Sequence, residues 1–452
     1  MTLKTLGALT LFGALPSLAL AAGTADFAGP HIGPVPLEFI FFACVLAGVA
    51  LFHQYTLRIA MAGVVFIAVY KIVFSPFNTG AGLAGFAGHL SHEWVILANL
   101  LLLLLGFAVL ADLFEKSEVP ALLPRVMPDD WKGCFVLLAL VFVISSFLDN
   151  IAAAMIGGAV ARAVFKGRVH IGFLAAIVAA SNGGGAGSVV GDTTTTMMWI
   201  GGVNPLEVLE AFIASGVALV VFGIPASLQQ HNYQPIQKDA GAHVRVDWMR
   251  LAIVIGILVA AIIVNVVINT RFNAVSDTFP FLGAAVWVAI LATAALRAPT
   301  WSVLPGAAKG SVFLLSLVLC ASMMPVEKLP LASWQTALGL GFLSAVFDNI
   351  PLTALALKQG GYDWGFLAYA VGFGGSMLWF GSSAGVALSN MFPEARSVGL
   401  WLRHGWHIAV AYVVGFFVML LLIGFHPGTV LKGGAAAPPA TPAAVVTPAA
   451  TP

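Results

Sequence analysis

The sequence predicts an all-α polytopic membrane protein with two inverted-topology repeats. Each repeat is expected to carry a re-entrant hairpin and a discontinuous helix, giving about ten crossings plus two hairpins in all. Three observations predict this. Of 452 residues, 60% are hydrophobic and 9% charged, against about 25% charged in a soluble domain. Apolar stretches of roughly 20 residues, enough to cross about 30 Å of hydrocarbon, recur along the chain. Several longer stretches are broken at their centres by Asp, Asn, Gly or Ser, and those breaks occur twice.

The elements follow in order. Residues 1–22 read as a signal peptide: Lys4, an apolar stretch to Leu20, and Ala19-Leu20-Ala21 as an A-x-A cleavage pattern. Plain spans are expected near 35–52, 57–74, 95–113, 207–228, 249–269, 279–296, 310–325 and 405–425. The segments 133–165, 171–203, 332–358 and 364–391 are the broken ones. Lys132 precedes 133–165, and Lys166 and Arg168 follow it. A chain that turns back at Asp149-Asn150 keeps all three on one side, as the positive-inside rule prefers. Hence 133–165 is read as a hairpin open to the cytoplasm and 332–358 as its external counterpart. Most remaining Lys and Arg then sort to the cytoplasm, Arg271, Lys328, Lys358 and Lys432 fall outside, and Lys71, Arg162 and Lys309, inside or near segment ends, stay unassigned. The resulting organisation is a first transport repeat with N-terminal spans (35–228), a cytoplasmic linker (229–248), a second inverted repeat (249–425) and a disordered Ala/Pro tail (433–452). Both termini are expected outside the cytoplasm, in a bacterial-type inner membrane.

The duplication is the strongest signal. Ser146-Phe147-Leu148-Asp149-Asn150-Ile151-Ala152 resembles Ala345-Val346-Phe347-Asp348-Asn349-Ile350-Pro351, 199 residues on. Gly184-Gly185 and Gly191-Asp192-Thr193-Thr194 align with Gly374-Gly375 and Gly381-Ser382-Ser383-Ala384, 190 residues on. A helix unwound at mid-membrane frees carbonyls and amides that lipid cannot pair, so such breaks belong around a ligand or a wet cavity. Glycines admit close backbone approach there.

Three carboxylates, Asp149, Asp192 and Asp348, fall in the breaks. An acid at membrane depth marks an ion pathway by default, and the competing reading is a cap on a half-helix start. As ligands, these three would hold a cation. Asn150 and Asn349 either offer carbonyl oxygens to an ion or brace the hairpin tips. In Thr193–Thr196 only Thr193 and Thr194 are expected to face the site, the rest bonding back to the preceding turn. His404 and His407 read as interfacial packing, with pH sensing as the alternative. Asp112, near Glu115 and Lys116, reads as an interfacial acid, and the aromatics as mostly lipid-facing filler and belt.

The run Ser181-Asn182-Gly183-Gly184-Gly185-Ala186-Gly187-Ser188-Val189-Val190-Gly191-Asp192-Thr193-Thr194-Thr195 resembles the N-A-G-G-A-x-S-P-x-G-D-x-T-T signature of NhaD-type sodium/proton antiporters. Phe347-Asp348-Asn349-Ile350-Pro351-Leu352, and Gly374-Gly375-Ser376 through Gly381-Ser382-Ser383-Ala384-Gly385, resemble that family's second-half motifs. The likeness spans roughly 35–425 and extends to the ion transporter superfamily, which includes citrate, dicarboxylate and arsenite carriers. It implies a secondary transporter whose ion site draws on Asn182, Gly184, Gly185, Gly191, Gly374, Gly375, Ser376, Gly381, Ser382 and Ser383 beside the residues above. Exchange follows if Na+ and H+ compete for one carboxylate, which requires desolvation to favour its neutral form. A Na+-coupled citrate or dicarboxylate symporter, or an arsenite permease, is the alternative. Tip carboxylates beside Asp192 would repel a polyanion. No enzyme is expected: an intramembrane aspartyl protease needs no duplicated Asp, and H-E-x-x-H does not occur. No basic patch supports nucleic-acid binding, and no cofactor is implied. The expected partners are small inorganic ions and the bilayer, with a homodimer left open. Cys44, Cys134 and Cys320 lie too far apart in sequence to suggest a metal site or a disulfide framework.

Overall fold

The computed structural model describes residues 29–428 apart from 53–54, 238–244, 273–274 and 276–277. The expected signal peptide and Ala/Pro tail lie outside the described residues, as do Lys238 and Lys432. A short antiparallel pair, His31–Ile32 with Val35–Pro36, leads into the helices. The first three are α1 (Leu37–Leu51), α2 (Thr56–Phe74) and α3 (Gly82–Glu115). Next come α4 (Trp131–Ser145), α5 (Asn150–Val164), α6 (Ile171–Ala186), α7 (Thr193–Ile200) and α8 (Ala211–Tyr233). The second half holds α9 (Trp248–Arg271), α10 (Phe281–Thr293), α11 (Leu304–Ser322), α12 (Trp334–Val346), α13 (Asn349–Gln359), α14 (Trp364–Gly374), α15 (Ser383–Met391) and α16 (Trp406–Ile423). Six described stretches are long and apolar enough to cross a membrane: Thr56–Phe74, Gly82–Glu115, Pro205–Tyr233, Trp248–Asn265, Trp301–Ser322 and Trp406–Ile423. The chain is therefore a helical, membrane-embedded protein.

The largest departure from expectation is α3, which runs for 34 residues from Gly82 where the apolar count marks 95–113. His89, Ser91, His92 and Glu93 interrupt the apolar run without interrupting the helix. Buried His89 explains one of them: its Nε2 meets Ser322 Oγ at 3.0 Å, joining α3 to the end of α11. Lys358, on the last turn of α13, donates to the Ser322 carbonyl and, at 2.7 Å, to that of Met324. A cation on the carbonyl end of a helix is electrostatically favourable.

Two helices form the centre. From Gly172 to Ala186 α6 is wholly buried, and so is all of α14. They touch where glycine removes bulk: a Cβ at Gly183 would lie 3.3 Å from the Phe373 ring, and one at Gly372 would lie 3.2 Å from Ala186 Cβ. Around this pair, α5 packs on α15 with Gly158 beneath Leu388, and α13 packs on the end of α7 with Leu357 against Gly201. Many aromatics belong to this interior rather than to the lipid face. Tyr369 stacks on Phe373 and on Tyr412 at centroid separations of 5.4 and 5.7 Å, and Trp199, Trp364 and Trp401 are buried. Hydrophobicity cannot sort such residues when lipid and core are equally apolar, so packing does.

Candidate ion-binding site

Each broken segment resumes its helix at a polar residue that caps the new start. Ile151 N donates to Asp149 Oδ2 (3.2 Å), Thr194 N to Asp192 Oδ1 (3.1 Å) and Ile350 N to Asp348 Oδ1 (3.1 Å). Gly385 N donates to Ser382 Oγ at 3.3 Å. Short polar side chains suit this position because the first amides of a helix have no partner within it. The caps open α5, α7, α13 and α15 respectively. Four positive helix ends thus carry three carboxylates and one hydroxyl.

Side-chain hydrogen bonds tie these starts together. Asn150 Nδ2 donates to Asn182 Oδ1 at 3.0 Å, and Asn182 Nδ2 donates to Ser376 Oγ at 2.9 Å and Ser382 Oγ at 3.0 Å. Asn349 Nδ2 reaches Asp192 Oδ2 at 3.4 Å, and Ser383 Oγ donates to Asp348 Oδ2 at 3.3 Å. Asn182 therefore bridges the two halves of the sequence, and Asn349 bridges them a second time. Asp192 is 2% exposed, whereas Asp149 and Asp348 are partly buried. Asp149 accepts from the Ile151 amide at its helix start, and its charge and that of Asp348 both act on Asp192. Among the described residues none of the three forms an ion pair.

Backbone packing holds the breaks in place. A Cβ at Gly184 would collide with the Phe142 carbonyl, and one at Gly374 with the Gly341 carbonyl. Gly185 lies against the Gly191 carbonyl and Gly375 against that of Gly381, at 2.6 and 2.7 Å from an added Cβ. These glycines shape the site by close approach. Thr195 Oγ1 and Thr196 Oγ1 each bond back to the Asp192 carbonyl at 2.9 Å, as interior threonines do. Thr194 Oγ1 differs: it is fully buried beside the Asp192 carboxylate and does not bond back to a main-chain carbonyl. Thr193 is also buried.

Among the described residues no three His, Cys, Asp or Glu side chains stand close enough to share one metal ion. A cation here would draw on mixed oxygens, with one carboxylate joined by amide, hydroxyl or main-chain carbonyl groups. Hard cations accept such ligands. His407 lies elsewhere, buried with both ring nitrogens unpartnered, and His404 packs edge-on to His170 at 4.8 Å.

Several contributors escaped the sequence reading. Ser145 Oγ donates to the Ser181 carbonyl at 2.6 Å, and Ser344 Oγ to the Val371 carbonyl at 2.7 Å. The 199-residue offset that aligns the Asp-Asn pairs also aligns these serines, so extending that comparison by one residue finds them. Trp401 Nε1, donating to the Ser376 carbonyl at 3.3 Å, has no such signal. No protein-family model matches the chain, and no curated protein matches it.

Proposed function

We propose that the chain is a secondary active transporter that exchanges Na+ (or Li+) for H+ at the Asp192 site. One observation carries the reading: a buried carboxylate sits at a helix break, inside a polar network that joins the two halves of the chain. Burial of an acid in a membrane protein is costly and is kept for pathways, relays and counter-ions. On this reading a Na+ ion and a proton neutralise the same carboxylate in turn. Each makes the loaded site electrically easier to hold in a low-dielectric interior, and mutual exclusion couples their fluxes. Asp149 and Asp348 add negative potential that raises cation occupancy. The paired breaks belong to the inverted-repeat plan, with the site between the halves and alternately open to each side. The matching serine contacts, Ser145 to Ser181 and Ser344 to Val371, support that plan.

A Na+-coupled carboxylate carrier is the second reading, and the helix starts favour it, because N-termini attract anions. Three of those four starts already hold a carboxylate of the protein itself, which argues for cations. The test is flux into proteoliposomes with Na+, Li+, citrate and arsenite compared side by side. Na+ alone should collapse a preformed pH gradient, with weaker apparent affinity as pH falls. Dissipation by citrate plus Na+, but never by Na+ alone, would promote the second reading.

A further inference from the structure

Between α9 and α10 lies an open groove of about 420 Å³, walled by α9 from Met249 to Ile257 and by α10 from Ala289 to Thr293. Small residues leave it room: a Cβ on Gly256 would meet nothing within 4 Å, and Ala252, Ala289 and Ala292 line it with methyl groups. Its one hydroxyl is already used, since Thr293 Oγ1 donates to the Ala289 carbonyl at 2.8 Å and to that of Ile290 at 3.2 Å. The side chains of the groove therefore offer no free hydrogen-bonding group. One end of it is positively charged. Arg250 follows Met249, and Arg297 lies one turn past Thr293, its amide donating to the Thr293 carbonyl at 3.2 Å. Both arginines reach the same oxygen, Asp247 Oδ2, through Nε, at 3.4 Å from Arg250 and 2.8 Å from Arg297. One carboxylate thus pins two guanidinium groups and leaves the trio net positive. Among the described residues Arg250 Nη1 has no hydrogen-bond partner. Exposed Trp248 and Trp301 flank these arginines in the sequence, and tryptophans of spanning proteins gather at headgroup level.

We infer that this groove is the seat of an anionic phospholipid, with its phosphate at Arg250 and Arg297 and one acyl chain lying between α9 and α10. The two halves of the seat match the two halves of such a ligand. A guanidinium pinned through Nε is held ready for a phosphate, whose oxygens take N–H groups the carboxylate has not used. Basic pockets between spanning helices suit anionic headgroups for the same reason. From Met249 to Ile257 the groove runs about 12 Å along α9, which accommodates part of an acyl chain and presents it with hydrocarbon. Charge argues against a second copy of the chain as the occupant. Copies share one orientation in the membrane, so a twofold contact through this groove would bring both arginine pairs to the same depth. An anionic headgroup meets the same arginines with opposite charge.

The test is native mass spectrometry of the purified, delipidated full chain, titrated with phosphatidylglycerol or with phosphatidylcholine of identical acyl chains. The wild type should bind phosphatidylglycerol about fivefold or more tightly than phosphatidylcholine, the scale of one arginine at an anionic lipid. Arg250→Gln should remove about that factor and leave phosphatidylcholine unchanged. Gly256→Leu should weaken both lipids about tenfold or more, because its side chain takes the place of buried methylenes. Melting in the same detergent checks folding. Should Arg250→Gln misfold, Gly256→Leu decides alone, since its Cβ has open space. Equal affinity of the wild type for the two lipids overturns the proposal, as does unchanged phosphatidylglycerol binding by the variants. Inorganic phosphate that binds as tightly as the lipid, and is indifferent to Gly256→Leu, would show a free-anion site and overturn it. A delipidated dimer that Gly256→Leu dissociates would make the groove an interface between copies and overturn it too.

Discussion

Asn182 makes three side-chain hydrogen bonds at the heart of the molecule, one accepted from Asn150 and two donated to Ser376 and Ser382. Asn182→Ala deletes all of them and strands the Asn150 amide in a buried place. Interhelical polar pairs in membrane proteins are worth about 0.6 kcal/mol on average and about 1.7 at most. A stranded buried donor costs about 1–3 kcal/mol. Together these put the destabilisation by Asn182→Ala at about 3–5 kcal/mol. The sharper quantity is the coupling. Once Asn182 is gone, Asn150→Ala removes a group that no longer has its partner, so the double variant should lose about 1 kcal/mol less than the two singles added. The assay is reversible unfolding in mixed micelles, run as a double-mutant cycle. Asn182 and Asn99 give the control pair: Asn99 bonds to Gly283 N and shares no partner with Asn182, so those two should add. Additivity within about 0.3 kcal/mol for Asn150 and Asn182 would show that the bridge does not hold the halves together.

Asp348→Asn should abolish coupled exchange in proteoliposomes while insertion and melting stay near wild type, because Asn also caps a helix well; near-normal exchange would remove Asp348 from the mechanism. Gly184→Ala and Gly374→Ala drive a Cβ into a neighbouring carbonyl, an overpacking expected to cost about 1–3 kcal/mol or more each. Gly399→Ala meets nothing within 4 Å inside a short helix and should be neutral or mildly stabilising in the same melts. Outside the spans, the Arg297 hydrogen bond holds the Asp247 carboxyl below its ordinary value, helped by the Arg250 and Met249 amides. A depressed carboxylate stabilises the fold above its unfolded value and loses that contribution as pH falls through its folded one. The melting-point deficit of Arg297→Gln should therefore be constant near neutrality and shrink below about pH 4; a deficit that grows in acid would contradict this.

Helix breaks proved easier to read from the chain than helix lengths. Asp149, Asp192 and Asp348 each announce a new helix start, because a short acid in an apolar run has few other uses than capping or binding. The extent of α3 was not legible, since apolarity marks where a helix meets lipid or core and says nothing of where its hydrogen bonds end. The aromatics failed for the opposite reason: Tyr369, Phe373 and Tyr412 are as apolar as lipid-facing residues, and only their mutual stacking places them inside. Asn182 was legible as polar and near a glycine run. Its partners were not, because Ser376 and Ser382 lie almost 200 residues away and reach it only when α6 and α14 cross.

Capping and ion binding look like rival explanations for the three acids, but the geometry makes them compatible. An ionised carboxylate has two oxygens and about four lone-pair positions. The helix start takes one oxygen of each: Oδ2 of Asp149, Oδ1 of Asp192 and Oδ1 of Asp348. What remains differs among them. The second oxygen of Asp348 already accepts from Ser383, and that of Asp192 has a long contact from Asn349. The cap also does electrostatic work for a ligand, because the positive helix end offsets part of the cost of keeping a buried acid charged. On the transport reading a carboxylate so placed meets a cation and a proton in turn. An acid in the middle of a helix has neither the offset nor a free approach. On the transport reading these acids sit at breaks because the break supplies the amides that stabilise their charge.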